Sequence, residues 1–322
     1  MKALVATDYG PPSTFTVADL PIPRPGDGQV QIRVAAAALN PGDLALPRGD
    51  LRSMIELTFP HVLGNDFAGT VTEVGDGVTG FAVSDEVFGH AVPRVMRPLA
   101  ATDRPALGTG TLAEYVVVEA GTPFLAHRPA TLPAADAAAL ATSGLTARAV
   151  SITAGVAAGE TVLVVGASGG MGTALIPLLA AAGAKVIATG APDDVAVLRE
   201  LGAAEVIGYG DYPAGADVAV NFAVPGTELG PIAGALRPGG RLYTVTFPVP
   251  RPEWIGRDDI SCQVVLDKDA SLGGMAEVAA DAVAGRLRPY IAASYPLADG
   301  VRAYTDLAGR HTLGKRVIRC GE

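Results

Sequence analysis

The segment Thr161 to Lys185, TVLVVGASGGMGTALIPLLAAAGAK, restricts the fold of this chain more than any other. Thr161 to Val165 is apolar-rich and predicts a strand buried on both faces. GASGGMG follows at once, then an apolar run long enough for a helix, then a second apolar run at Val186 to Thr189. Strand, tight glycine turn, helix and strand make the unit that sets a pyrophosphate on a helix N-terminus. The spacing Ala167-x-Gly169-x-x-Gly172 fits that unit, with Ala in place of the first Gly. Ala167 keeps the turn tight, Gly169 carries no Cβ to block the phosphates, and Gly172 lets the helix pack closely on its strand. Ser168, Gly170 and Met171 complete the candidate cofactor loop. The plainer alternative is a glycine-rich strand-to-helix turn with no ligand.

Before this segment the chain is β-rich. Gln29 to Val34 and Gly69 to Gly75 alternate polar and apolar residues, and Ala113 to Val118 is a further short strand. Short strands punctuated by Pro and Gly predict a barrel-like domain. Alanine-rich helical sequence begins near Pro133, at Pro133 to Leu140 and Leu145 to Ala154. From Thr161 strands and helices alternate, with strands at Thr161–Val165, Lys185–Thr189, Glu205–Ile207, Asp217–Asn221 and Arg241–Thr246. That order predicts a doubly wound parallel sheet. After Cys262 the pattern is mixed, ending in a strand at Lys315 to Arg319.

A chain of 322 residues is long for one core, so two domains are expected. A net charge of −9 argues against nucleic acid or an anionic membrane as a main partner. No uninterrupted apolar run of about 18 residues predicts a membrane span. Two cysteines, Cys262 and Cys320, suggest no disulfide framework, and MKALVATDYG does not read as a signal peptide. A cytoplasmic location is expected.

The landmarks DYGPP (8–12), LNPGD (39–43), PHVLGNDFAG (60–69), AEYV (113–116), TSGLTA (142–147), the glycine loop, RPGGR (237–241), GRLRP (285–289) and GK (314–315) run in order along the chain. With them the sequence resembles the medium-chain dehydrogenase/reductase superfamily, and within it the zinc-free quinone oxidoreductase branch to which zeta-crystallin belongs. The resemblance implies an α/β protein with a GroES-like β-barrel substrate domain at 1–125 and 262–322, and a doubly wound Rossmann domain at 126–261. It also implies a homodimer through the Rossmann sheet edge, near Leu242 to Thr246.

Zinc-dependent members place Gly-His-Glu where this chain reads Gly64-Asn65-Asp66. Asn is a poor zinc ligand, and no Cys precedes Cys262. His61, His90, His127 and His311 are scattered and read as surface or loop residues. No metal is expected. Without a Lewis acid the favoured chemistry is hydride transfer to an activated acceptor, a quinone or an α,β-unsaturated carbonyl.

NADPH is favoured over NADH, because no carboxylate closes the second strand at Thr189-Gly190-Ala191-Pro192. Tyr209 matches a family tyrosine near the 2′-phosphate, but the usual Lys or Arg is missing, with Val195 near its place. Asn40 matches a family asparagine beside the nicotinamide and substrate, or else it is a turn former before Pro41. Thr142 matches a threonine facing the nicotinamide ribose, or caps a helix. Phe222, Ala223 and Phe247 follow strands at the carboxyl edge and are expected to line the cofactor crevice. Tyr9, Asp43 and Asp66 are candidates for the substrate cleft, with structural roles as alternatives. No general acid is assigned. The loop 91–110 carries Arg94, Arg97 and Arg104 and reads as a substrate wall or a solvated surface loop. Two further readings remain open: a pathway-specific enoyl reductase of secondary metabolism, and a non-catalytic NADPH-binding protein.

Overall fold

The computed structural model describes residues 1–100, 102–309, 311 and 313–321. They fall into two compact units: 1–142, 268–285 and 291–322, and 143–267 with 286–290. These divisions differ from the junctions expected at 125/126 and 261/262. The alanine-rich sequence forms one helix, Ala134–Ala154, which Gly144 does not interrupt and which runs from the first range into the second.

The first unit is a curled, mostly antiparallel sheet with a small three-stranded sheet beside it. Its organiser is the strand Gln29–Ala38, which pairs along one side with Asp66–Val74. Its other side is shared: residues 29–33 pair with Tyr115–Glu119, and 36–38 with the returning strand Lys315–Arg319. Inward side chains such as Leu4, Ile32, Phe67, Val116 and Tyr304 form the core. Along Gln29–Val34 the alternation of Val30, Ile32 and Val34 with Gln31 and Arg33 turns the apolar side chains to this face.

The second unit is a six-stranded parallel sheet in the order 205–207, 185–189, 161–165, 216–221, 236–244, 261–264. Counted along the chain this is 3-2-1-4-5-6, the doubly wound order whose reversal lies between the first and fourth strands. The sixth strand, Ser261–Val264, pairs with 241–244. Leu242 to Thr244 is therefore interior, and the expected dimer edge at Leu242–Thr246 is corrected: the edge on that side of the sheet is Ser261–Val264. The sequence hid this strand because Ser261 and Gln263 interrupt the apolar residues between Ile260 and Leu266. No helix among the described residues is long and apolar enough to cross a membrane.

Candidate active site

Register builds one half of the site. Asp66 pairs with Ala38 on one neighbouring strand and with His90, the last residue of Glu86–His90, on the other. Val317 also pairs with Ala38, so Lys315 arrives beside Asn40. Asn40, Asp66, His90 and Lys315 thus come from four strand ends, although Asn40 and Lys315 are 275 residues apart. Thr142, on the long helix, closes the cluster.

Asp66 is its centre and is fully buried. Its Oδ1 accepts from Thr142 Oγ1 at 2.6 Å and His90 Nδ1 at 2.8 Å. Its Oδ2 accepts from Asn40 Nδ2 at 2.9 Å and the Thr142 amide at 3.2 Å, with Lys315 Nζ at 3.5 Å. Burial pushes this carboxyl up, but the Lys315 ammonium, His90 and Thr142 together outweigh it and hold Asp66 down to about 2. Asp66 is therefore ionised at neutral pH and can only accept, so each partner must donate to it. Lys315 is almost fully buried and also donates to Leu39 O at 3.0 Å and Asn40 Oδ1 at 2.6 Å. The Asn40 amide is oriented by charge, its oxygen to Lys315 and its nitrogen to Asp66.

Asp43 sits behind this cluster. It accepts from the Asn40 backbone N–H at 2.9 Å, Asn65 Nδ2 at 2.8 Å and Tyr304 Oη at 3.2 Å. Burial and the nearby Asp66 charge raise Asp43 to about 7, against the opposing Asn40 hydrogen bond, Lys315 and His90. Burial and Asp43 likewise push the Tyr304 hydroxyl well up.

Of the cleft candidates, Asp43 and Asp66 join Asn40 and Thr142, whereas Tyr9 does not. The Tyr9 hydroxyl accepts from the Leu57 amide at 2.8 Å, and its ring lies edge-on to Phe59 and beneath the Arg52 guanidinium. Reading His90 as a surface or loop histidine is corrected: it ends a strand and bonds Asp66. Lys315 and Tyr304 were missed because only long-range strand and helix packing brings them here. His90 was missed for the same reason, since its partner lies 24 residues away.

A zinc ion fits this position poorly. Asn65 turns its amide nitrogen to Asp43, and Asp66 already faces an ammonium cation. Among the described residues no group of three His, Cys, Asp or Glu could hold a metal.

The glycine loop belongs to the second unit. Gly166 adopts φ +81°, which glycine supplies without strain, and the turn opens at the strand-order reversal beside Phe222 and Ala223. A Cβ on Gly172 would lie 2.4–2.6 Å from the Ala167 backbone, so close packing of the helix on its strand requires glycine there. A Cβ on Gly169 would meet only Gly166 O, at 3.4 Å, so the space before the helix is open. The helix Gly170–Ala181 has no side-chain cap at Gly169. Its first amides therefore remain available to an anion.

The other expected cofactor residues lie around this loop and along the carboxyl edge of the sheet. Thr189 is fully buried, and its hydroxyl accepts from the Gly166 amide at 3.0 Å, so it braces the loop from below. Ser168 Oγ and Tyr209 Oη lie 3.0 Å apart across the loop. Asp194 is buried and accepts from the Ala191 amide at 2.8 Å, capping the next turn. Phe222 is half-buried, while Ala223 and Phe247 are exposed at the carboxyl edge. Asn221, not singled out in the sequence, pins that edge through Ala223, Val224, Thr244 and Thr246.

The loop 91–110 folds as a short strand at Val92–Pro93, a 3-10 turn at Arg94–Leu99 and a second short strand at Leu107–Gly108; Ala101 lies outside the described residues. Arg97, Arg104 and Pro105 help line a cavity of about 550 Å³ with Thr79 and Glu119. That cavity shares no lining residue with the Asp66 cluster.

This architecture of a GroES-like unit and a doubly wound unit defines a nucleotide-dependent dehydrogenase. Residues 26–128 match the alcohol dehydrogenase GroES-like domain, and 201–318 match the zinc-binding dehydrogenase domain. The chain is 28% identical to a chloroplast envelope quinone oxidoreductase homolog of Arabidopsis thaliana, over 99% of this chain and 98% of that one. It is 31% identical to an NADPH-dependent alkenal/one oxidoreductase of the same plant, over 76% of this chain and 66% of that one. A solved structure described as an NAD-dependent alcohol dehydrogenase is 31% identical over all of both chains, with a TM-score of 0.82. The chain belongs to the medium-chain dehydrogenase/reductase superfamily.

Proposed function

We propose that this oxidoreductase carries a hydride from NADPH to a quinone or an α,β-unsaturated carbonyl, without zinc. The observation that carries this reading is the uncapped helix at Gly169–Gly172, at the reversal of strand order, with open space where a pyrophosphate would lie. Ala167 to Gly172 would hold the pyrophosphate and Ser168 with Tyr209 the adenosine ribose; the bound nicotinamide supplies a hydride. Asn40 and Thr142 are fixed by Asp66 and Lys315, so they can orient an acceptor without reorganising. The ammonium of Lys315 already occupies the electrostatic position beside Asp66, which supports chemistry without a Lewis acid.

NADPH is preferred because Asp194, the buried acid nearest the end of the second strand, is committed to the Ala191 amide. A homodimer paired along the edge strand Ser261–Val264 and a cytoplasmic location complete the proposal; the two cysteines are free thiols. The test is to follow oxidation of NADPH and of NADH with panels of quinones and enones. Turnover of either class with NADPH supports the reading. Tight NADPH binding without turnover of any acceptor would favour a binding protein, and turnover confined to one enone would favour a pathway-specific enoyl reductase.

A further inference from the structure

We propose that His90 donates the proton that completes enone reduction, with Asp66 and Thr142 as the positioning residues that hold its ring. This rests on the reductase reading above and supplies its missing acid.

Reduction of a C=C bond needs a hydride and a proton. The hydride forms the new C–H bond at the β-carbon, and the π pair passes to the carbonyl oxygen as an enolate. The α-carbon must then take a proton. Most ionisable groups of the cluster are closed off from that task. Asp43 is buried under three donors, and Tyr304 is fully buried. Lys315 points all of its donors at Leu39, Asn40 and Asp66.

His90 differs in both respects that matter. Its side chain keeps 23% of its exposure, and its ring has a second nitrogen. An ionised Asp66 accepts from Nδ1, so Nδ1 keeps its hydrogen in either charge state. Nε2 has no hydrogen bond to any described residue and is the nitrogen that gains and loses a proton. Thr142 Oγ1, 3.0 Å from Nδ1, fixes the ring from the helix side. This is the carboxylate–imidazole logic in which the acid holds the tautomer and the outer nitrogen moves the proton. The charged groups around the ring are Asp66, Asp43 and Lys315. After donation the ring is neutral, still bonded to Asp66, and regains its proton from solvent through the exposed edge.

The test pairs His90→Gln with imidazole nitrogen NMR on the protein free of nucleotide. The neutral ring should be the Nδ1–H tautomer in the wild type and should lose that preference in Asp66→Asn. Should Asp66→Asn not fold, Thr142→Val reports the same loosening while keeping the backbone bond. With an enone, His90→Gln should lower kcat about 100-fold or more and abolish the limb of the pH profile set by a group that must be protonated. A wild-type ring in the Nε2–H tautomer would overturn the proposal. So would a His90→Gln enzyme within about threefold of wild-type kcat with an unchanged profile, since that falls far short of a lost general acid. Wild-type protein that reduces no quinone or enone would instead overturn the reductase reading itself.

Discussion

Replacing Lys315 by Met removes one charge from the Asp66 cluster and keeps an unbranched apolar stem. The folded state holds Asp66 at about 2, against roughly 3.9 for an exposed Asp. That gap is worth about 2.5 kcal/mol of stability at neutral pH. The Lys315 charge is the largest single cause pulling it down, and its removal leaves full burial opposed only by His90 and Thr142. Loss of one partner of a buried ion pair costs about 3–5 kcal/mol. The pH dependence separates charge from packing. In the wild type Asp66 contributes stability above pH ~4 and loses it as pH falls toward 2. In Lys315→Met its carboxyl would be raised instead, so the penalty grows as pH rises from ~4. The deficit should therefore be largest near pH 8 and shrink by pH 5. The sole tryptophan, Trp254, lies in the other unit and does not report this event. Hydrogen exchange of amides in Gln29–Ala38 and Asp66–Val74, measured at both pH values, does. Equal deficits at pH 5 and pH 8 would refute the electrostatic account and assign the loss to the contacts of Lys315 with Leu39 and Asn40.

Other substitutions probe the remaining parts. Gly172→Ala should destabilise the second unit by at least ~1–3 kcal/mol, because its Cβ meets rigid backbone. Gly169→Ala, with only a 3.4 Å neighbour, should leave urea unfolding unchanged yet weaken NADPH binding by calorimetry. Tyr209→Phe should raise the Kd for NADPH more than that for NADH, if the Ser168–Tyr209 pair holds the 2′-phosphate. Asp43, raised to about 7, gives stability that is present below pH ~4 and is lost as pH rises through 7; Asp43→Asn should flatten that part of the stability profile between pH 5 and 8. Shortening the chain between Arg94 and Arg104 should change substrate choice more than stability, provided the buried Leu107 is kept.

The sequence made the second unit readable because its signals are local. Thr161–Val165, Lys185–Thr189 and Glu205–Ile207 stand where the apolar runs put them, and the glycine spacing fixes its own turn. The strand Ser261–Val264 escaped because its exposed Ser261 and Gln263, as suits an edge, break up the apolar run around it. In the first unit, Asn40, Asp43, Asp66 and Thr142 could be named from motif resemblance, but their mutual bonding could not. That bonding depends on register between strands far apart in the chain, which local periodicity does not encode. Lys315 looked like the start of a terminal strand and His90 like an isolated histidine. Their partners become visible only once Asp66 is aligned with both neighbouring strands.

The shared flank of the strand Gln29–Ala38 has a temporal consequence. The ribosome delivers Asn40, Asp66 and His90 early, but the cation that neutralises Asp66 belongs to one of the last strands made. Throughout synthesis the nascent first unit would carry a carboxylate that it cannot bury at low cost. Closure of its sheet thus waits on the chain's far end, while every strand of the nucleotide-binding sheet has already emerged. A chain that stopped before Gly314 would leave that carboxylate permanently without its counterion.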